Sequence, residues 1–89
     1  MEKIWHIEFD DSARKALRKL DQQTQKKILS YIDTKIKNAS DPTEFGKPLI
    51  GNLSGLWRYR VGDYRIICRI IKNEITILVL DVGHRKNIY

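Results

Sequence analysis

Residues that commonly build redox, metal and membrane sites are scarce in this chain. It has a single cysteine, Cys68, which excludes an internal disulfide and a cysteine-based zinc site. No run of about 18 apolar residues is present, so no membrane-spanning helix is expected. The charged start, Met1 to His6, leads into no apolar stretch of the kind found in a secretion signal. These absences predict a protein of the reducing cytoplasm that does not enter a membrane.

Length and charge narrow the possible functions further. The 89 residues suffice for one domain, 1–89, which is too small to enclose a large cofactor, and none is expected. There are 17 Lys and Arg against 11 Asp and Glu, a formal net charge of +6. Most of the excess lies in residues 46–89, and an anionic partner is expected to bind there. The basic residues of that half are Lys47, Arg58, Arg60, Arg65, Arg69, Lys72, Arg85 and Lys86.

The hydrophobic pattern predicts an α+β domain with the element order βααβββ. Apolar residues alternate over 3–9, which is the period of a strand, and recur at helical spacing over 11–20 and 22–37. The run Asp10-Asp11-Ser12 offers N-cap oxygens for the first helix, and Asp21 is a candidate N-cap for the second. Three more strands are predicted at 56–61, 64–71 and 75–82. We expect an antiparallel sheet with the helical hairpin packed on one face, strand 75–82 in the centre and strand 3–9 beside it.

A long irregular segment, residues 38–55, separates the helices from these three strands. It contains both prolines and three of the five glycines, which is typical of a loop. Its apolar residues Phe45, Leu49, Ile50 and Leu53 are expected to hold it against the body of the domain. Loops of this length inside small domains are often functional.

The strand register predicts a cluster of positive charge. Gly62-Asp63 is a two-residue link with glycine first, as a type II′ hairpin turn requires, so Arg60 is placed opposite Arg65. One face of the hairpin, here called the arginine face, then carries Arg58, Arg60, Arg65 and Arg69. Like charges directly opposite each other cost about 0.2–1 kcal/mol. The arginine face is interpreted either as a solvated surface or as a site for a polyanion, with nucleic acid the leading candidate.

Three segments resemble the RelE/ParE superfamily of type II toxins, and within it the RelE-like ribosome-dependent mRNA endoribonucleases. They are Gly-Lys-Pro-Leu at 46–49 with Gly-Asn-Leu-Ser-Gly-Leu-Trp-Arg-Tyr-Arg at 51–60, Gly-Asp-Tyr-Arg-Ile at 62–66, and Val-Gly-His-Arg at 82–85, closing on Tyr89. The resemblance covers nearly the whole chain. It implies a RelE-like fold and a metal-independent toxin that cuts mRNA in the ribosomal A site. It also implies a cognate antitoxin that binds and blocks the toxin, in a toxin–antitoxin hetero-oligomer.

The resemblance also implies roles for individual residues. Tyr89 matches the proposed base, Arg65 the arginine at the scissile phosphate, and Arg85 the arginine at the leaving group. Arg85 is interpreted as charge stabilisation, because an arginine is a poor proton donor, and His84 is a candidate donor if it faces the site. Relatives carry lysines where Arg58 and Arg60 stand. The catalytic set is then Arg60, Arg65, Arg85 and Tyr89, and the RNA-binding set is Lys47, Arg58, Arg69, His84 and Lys86.

Two other functions stay open from the sequence. One is a ParE-like toxin of the same fold that inhibits DNA gyrase without cutting RNA. The other is a nucleic-acid-binding module with no catalysis. Arg65, Arg85 and Tyr89 occurring together favour the endoribonuclease, because a binding module needs charge but no terminal tyrosine.

Overall fold

The computed structural model describes residues 4–84. It contains five strands and two α-helices in the order β1 (His6–Phe9), α1 (Asp11–Arg18), α2 (Gln22–Tyr31), β2 (Lys47–Pro48), β3 (Trp57–Val61), β4 (Tyr64–Ile71) and β5 (Thr76–His84). Short 3-10 turns occupy Pro42–Glu44, Gly51–Leu53 and Lys72–Glu74. The predicted α+β class is confirmed. The predicted site residues Arg85, Lys86 and Tyr89 lie outside the described residues.

Both helices begin where the sequence predicts. The carboxylate of Asp10 accepts a hydrogen bond from the Ser12 backbone N–H at 3.1 Å, which satisfies one of the free donors of the first turn. Asp21 does the same for Thr24 at 3.3 Å, and the Thr24 hydroxyl donates to it as well, which lowers the pKa of Asp21. These caps separate the two helices of the hairpin.

The second helix changes its winding near its end. After Tyr31 the chain continues as a π-helical turn, Ile32–Ile36, in which the Lys37 N–H donates to the Ile32 carbonyl at 2.9 Å. The helical path therefore reaches as far as the sequence predicts. Ile28, Ile32 and Ile36 are all buried, so this path carries one apolar stripe into the core.

The sheet has the order β1-β5-β4-β3-β2, with β5 flanked by β4 and β1 as predicted. The β3–β4 register is also confirmed, with Arg60 opposite Arg65 and Val61 opposite Tyr64. The pairing of β1 with β5 differs from the expected antiparallel sheet because it is parallel. Alternating apolar residues are the same in both directions, so the sequence pattern of β1 contains no information on its direction.

The helices cover one face of the sheet and leave the other without a helical layer. Helix α1 packs mainly on β5. The buried core joins residues of both helices to the side chains of the sheet that face them: Ala13, Leu17, Ile28, Ile32, Ile36, Tyr59, Ile66, Cys68, Ile77, Val79 and Val82. Since side chains alternate along a strand, Arg58, Arg60 and Arg65 project from the opposite face.

The segment between α2 and β3 is held differently from the prediction. Phe45 and Ile50 are 49% and 87% exposed, so the expectation that they hold the loop against the body is wrong. Two buried aromatic side chains hold it instead, by donating hydrogen bonds to its carbonyls. The Trp5 indole N–H donates to Ala39 at 3.0 Å, and the Tyr59 hydroxyl donates to Pro42 at 2.6 Å.

The segment also contains β2, a two-residue strand that the sequence analysis missed. Lys47 pairs with Arg58 and Pro48 with Trp57. Two residues are too few for an alternating pattern to be visible in the sequence. Strand β2 therefore adds an edge strand to the sheet, next to β3.

The β4–β5 pair contains a β-bulge. Ile67 is opposite Asp81 whereas Cys68 is opposite Val79, so Leu80 is the extra residue on β5. Before Leu80 the odd-numbered residues of β5 face the core, and after it the even-numbered residues do. Val79 and Val82, three positions apart, both face the core.

The glycine at the β3–β4 turn allows a test of the register. Gly62 has φ +59° and Asp63 is not among the residues with positive φ, which fits a type II′ turn and excludes type I′. Gly62→Ala should lower the free energy of unfolding by about 1 kcal/mol, since an L side chain is strained at this φ. The melting temperature in a circular dichroism scan should fall by roughly 4–8 °C. Asp63→Ala is the matched control and should lose less, because Asp63 is the next residue of the turn and is not among the residues with positive φ; equal losses would contradict the strain argument.

Candidate nucleic-acid interface

Three neighbouring strands bring five positive side chains to the arginine face. Arg60 of β3 lies directly opposite Arg65 of β4, and Lys47 of β2 lies directly opposite Arg58 of β3. Arg69 lies four residues after Arg65 on β4, so its side chain is on the same face. Lys47 therefore joins the four predicted arginines, and β2 is what brings it there. Ile67, in the middle of this group, is 5% exposed, so the charges surround a buried apolar residue.

The five side chains differ in exposure. Lys47, Arg60 and Arg69 are exposed, and none of them forms an ion pair with any residue of 4–84. Arg58 and Arg65 are half-buried, and the Nε atom of Arg65 is buried. Half-buried arginines have fewer accessible rotamers than exposed ones, so they present the guanidinium in a restricted orientation. This part of the face is suited to a fixed contact with an oxyanion, since a guanidinium can bind a phosphate with two parallel hydrogen bonds.

Two acidic side chains of the described residues lie on this face, on β1 and β5. Glu8 of β1 is paired with Leu78, and Asp81 of β5 is paired with Ile67. The neighbours of each, Phe9 and Val82, pack in or against the core, so both carboxylates project from the arginine face. The face therefore changes from positive on β2, β3 and β4 to negative towards β1.

His84 does not reach the arginine face. It is opposite Tyr64, and the two rings meet edge to face, with centroids 5.5 Å apart and planes at 82°. Ala16 and Leu20 of the helical side line the same depression. Strict alternation from Ile77 would place residue 84 on the arginine face, but the bulge at Leu80 reverses it. The residue directly opposite Arg65 is Gly83, which adds no side chain there.

Three other side chains with reactive groups, Cys68, Tyr59 and Tyr31, lie in or against the core. Burial raises the pKa of the Cys68 thiol to about 12 and raises the pKa values of Tyr59 and Tyr31, so their anionic forms are disfavoured. Within residues 4–84, no group of three or more His, Cys, Asp or Glu side chains is placed to hold a metal ion. No helix there is long and apolar enough to cross a membrane. The arginine face is therefore the clearest candidate site among the described residues.

Comparison with known proteins identifies the family. The family model of the ParE toxin of type II toxin–antitoxin systems matches residues 7–89. The chain is 31% identical to toxin RelG of Mycobacterium tuberculosis over 83 residues, which is 93% of each chain. It is 25% identical to toxin RelE of the same organism, over 96% of this chain and 86% of the relative. The chain thus belongs to the RelE/ParE superfamily of type II toxin–antitoxin toxins.

A solved structure agrees with this assignment. The RelBE2 toxin–antitoxin complex of Mycobacterium tuberculosis contains a chain that superposes with a TM-score of 0.87 at 28% identity, covering 96% of this chain and 95% of that one. The two helices and the five-stranded mixed sheet are therefore those of a RelE-like toxin.

The buried thiol gives a second test. Cys68 should not react with a thiol reagent such as 5,5′-dithiobis(2-nitrobenzoic acid) at pH 8 in the native protein, because the residue is 0% exposed and its thiolate is disfavoured. In guanidinium chloride about one equivalent should react, as measured by absorbance. Rapid reaction of the native protein would contradict the packing described for β4.

Proposed function

We propose that this toxin is a ribosome-dependent endoribonuclease that cleaves mRNA in the ribosomal A site and so inhibits translation in the cytoplasm. The observation that carries the proposal is the arginine face. Two arginines lie directly opposite each other, with a further arginine along each strand and Lys47 beside them, so positive charge is concentrated on one face of the sheet. A phosphodiester backbone is a ligand suited to such a surface, and arginine is the residue best suited to bind it.

The proposed reaction is an internal transfer at phosphorus. The ribose 2′-hydroxyl oxygen attacks the adjacent phosphorus, and the bond from phosphorus to the 5′-oxygen breaks. The products are a 2′,3′-cyclic phosphate and a 5′-hydroxyl. The proton lost by the 2′-hydroxyl must pass to a base, and the 5′-oxygen must gain a proton or a positive neighbour as it leaves.

Arg65 and Arg60 are proposed to stabilise the phosphorane. Negative charge develops on its non-bridging oxygens, and donors already held in place stabilise that charge most effectively. Arg65 is half-buried, which restricts its orientation, whereas Arg60 is exposed and can move to meet the phosphate. Lys47, Arg58 and Arg69 would then bind the flanking phosphates.

The remaining steps are proposed for residues beyond the described part. By the family resemblance, Tyr89 takes the 2′-hydroxyl proton and Arg85 stabilises the leaving oxygen, with Lys86 contributing charge. A phenol has an ordinary pKa near 10, so a tyrosine base requires neighbouring positive charge. The arginine face has that charge in excess. His84 is not proposed as the acid, because its ring packs against Tyr64 on the helix side.

A cognate antitoxin is proposed as the second partner. The similar RelBE2 chain was solved in a toxin–antitoxin complex, which supports a partner of that kind for this chain. An antitoxin that supplies carboxylates to the arginine face would neutralise the repulsion that RNA neutralises in the active toxin. Toxin and antitoxin would then form a hetero-oligomer in which the RNA site is covered.

The proposal is tested in a reconstituted translation reaction with a defined mRNA. The purified protein should cut the mRNA at the codon in the A site and leave a downstream fragment with a 5′-hydroxyl, as detected by primer extension and by labelling with polynucleotide kinase. The same mRNA without ribosomes should stay intact. Intact mRNA on ribosomes, together with inhibited gyrase supercoiling, would replace the proposal with a ParE-like function. Inhibition of neither would leave a binding module.

Arg65→Ala separates catalysis from binding. It should reduce the rate of cleavage by roughly 10²–10³-fold, the cost of removing one charge-stabilising donor from an active site. Sedimentation with ribosomes should change little, since the other cations of the face remain. Arg14→Ala, which removes an exposed arginine from α1, is the matched control and should cleave at the wild-type rate. Equal losses in both variants would show that overall charge, and not position, matters.

A further inference from the structure

Tyr59 stands between two arginines of the candidate site but cannot touch a ligand there. It lies on β3 between Arg58 and Arg60, and its side chain faces the helices. The residue is 0% exposed, whereas the arginines on either side project from the opposite face. Any influence of Tyr59 on the site must therefore act through another residue.

Its hydroxyl is bonded to a different part of the chain. Tyr59 donates a 2.6 Å hydrogen bond to the carbonyl of Pro42, which lies 17 positions earlier and is itself buried. Burial raises the pKa of the Tyr59 phenol, so the group is a neutral donor at physiological pH. The bond is buried, so losing it would leave the Pro42 carbonyl without its partner, away from water.

The chain then crosses the Tyr59 ring to reach the arginine face. A Cβ at Gly46 would lie 3.2 Å from ring atoms of Tyr59 and 3.2 Å from the Arg58 carbonyl oxygen. The backbone therefore passes over Tyr59 at a distance that only glycine allows without displacement. The next residue is Lys47, paired with Arg58.

The strand that carries Lys47 is too short to hold itself in place. Strand β2 has two residues at the edge of the sheet, and the next hydrogen bond along it is from the Leu49 N–H to the Leu56 carbonyl at 2.9 Å. Strands of this length contribute little stability of their own. The contact between Tyr59 and Pro42, five residues before Lys47, holds the start of the segment to the core.

We propose that Tyr59 is a positioning residue, which holds Lys47 on the arginine face through its hydrogen bond to Pro42. The inference rests on the proposed function only in taking single-stranded RNA as the ligand of that face. The predicted consequence is specific. Without the hydroxyl, β2 should separate from β3 and the site should lose one phosphate contact while the arginines keep theirs.

Hydrogen exchange tests the structural half without any RNA. Tyr59→Phe removes the hydroxyl and keeps the ring, so the amide of Leu49 should exchange faster while the amides of β4 and β5 keep their protection. Tyr31→Phe is the matched control. The Tyr31 hydroxyl forms no hydrogen bond with any residue of 4–84, and its loss should leave Leu49 unchanged. Unchanged exchange in Tyr59→Phe would overturn the proposal.

A double-mutant cycle tests the link to Lys47. Binding of a 12-residue oligouridine is measured across a range of salt concentrations for the wild type, Tyr59→Phe, Lys47→Ala and the double variant. Each single change should reduce the magnitude of the log–log salt slope by about 0.7, the value of one single-strand phosphate contact. The double variant should lose no more than either single one. A loss of about 1.4 in the double variant, or no loss in Tyr59→Phe, would overturn the proposal.

Two further measurements test the role of Tyr59 if a variant does not fold or if the RNA does not bind. If Tyr59→Phe fails to fold, Gly46→Ala replaces it, since the added Cβ displaces the same segment from outside, and the same cycle with Lys47→Ala applies. If the wild type does not bind free oligouridine, the proposed cleavage on ribosomes is still tested by the translation reaction, and the exchange of Leu49 decides whether Tyr59 holds β2.

Discussion

The register of the β3–β4 hairpin is the constraint on which both sides of the sheet depend. Gly62, at φ +59°, closes the hairpin with only two residues, so there is no slack in the turn for the strands to slide. A slip of one residue would turn Tyr59 and Ile66 towards solvent and the arginines towards the helices, because the side-chain period of a strand is two. The same register therefore determines which residues form the core and which form the arginine face.

The magnitudes explain why a repulsive face is tolerated. Arginines directly opposite each other cost about 0.2–1 kcal/mol, whereas burying one large apolar side chain contributes about 1.5–3 kcal/mol. Tyr59 and Ile66, the pair beside Arg60 and Arg65 in the same register, are both fully buried. Packing on one side of the sheet therefore outweighs repulsion on the other. The domain can keep a strongly positive surface on the side of the sheet opposite its core.

Sequence reasoning succeeded where local rules decide the structure. Such local features include the helix caps at Asp10 and Asp21, the turn at Gly62 and the alternation along β3 and β4. The turn and the alternation suffice to predict the four arginines on one face. It missed features that depend on distant contacts. The edge strand with Lys47 is held through the hydrogen bond between Tyr59 and Pro42, which are 17 positions apart, and β1 pairs with β5, at the other end of the described chain. Neither leaves a periodic signal in the residues concerned.

The bulge at Leu80 shows how one inserted residue changes the chemistry of a face. With unbroken alternation from Ile77, His84 would project from the arginine face and Asp81 would face the helices. The insertion exchanges them, so the imidazole packs on Tyr64 and the carboxylate joins Glu8 on the side of the face nearest β1. A polyanion is then attracted along β2, β3 and β4 and repelled from β1. The presence of both signs of charge therefore favours one path for a bound strand across the face. An even distribution of the same net charge would favour no path.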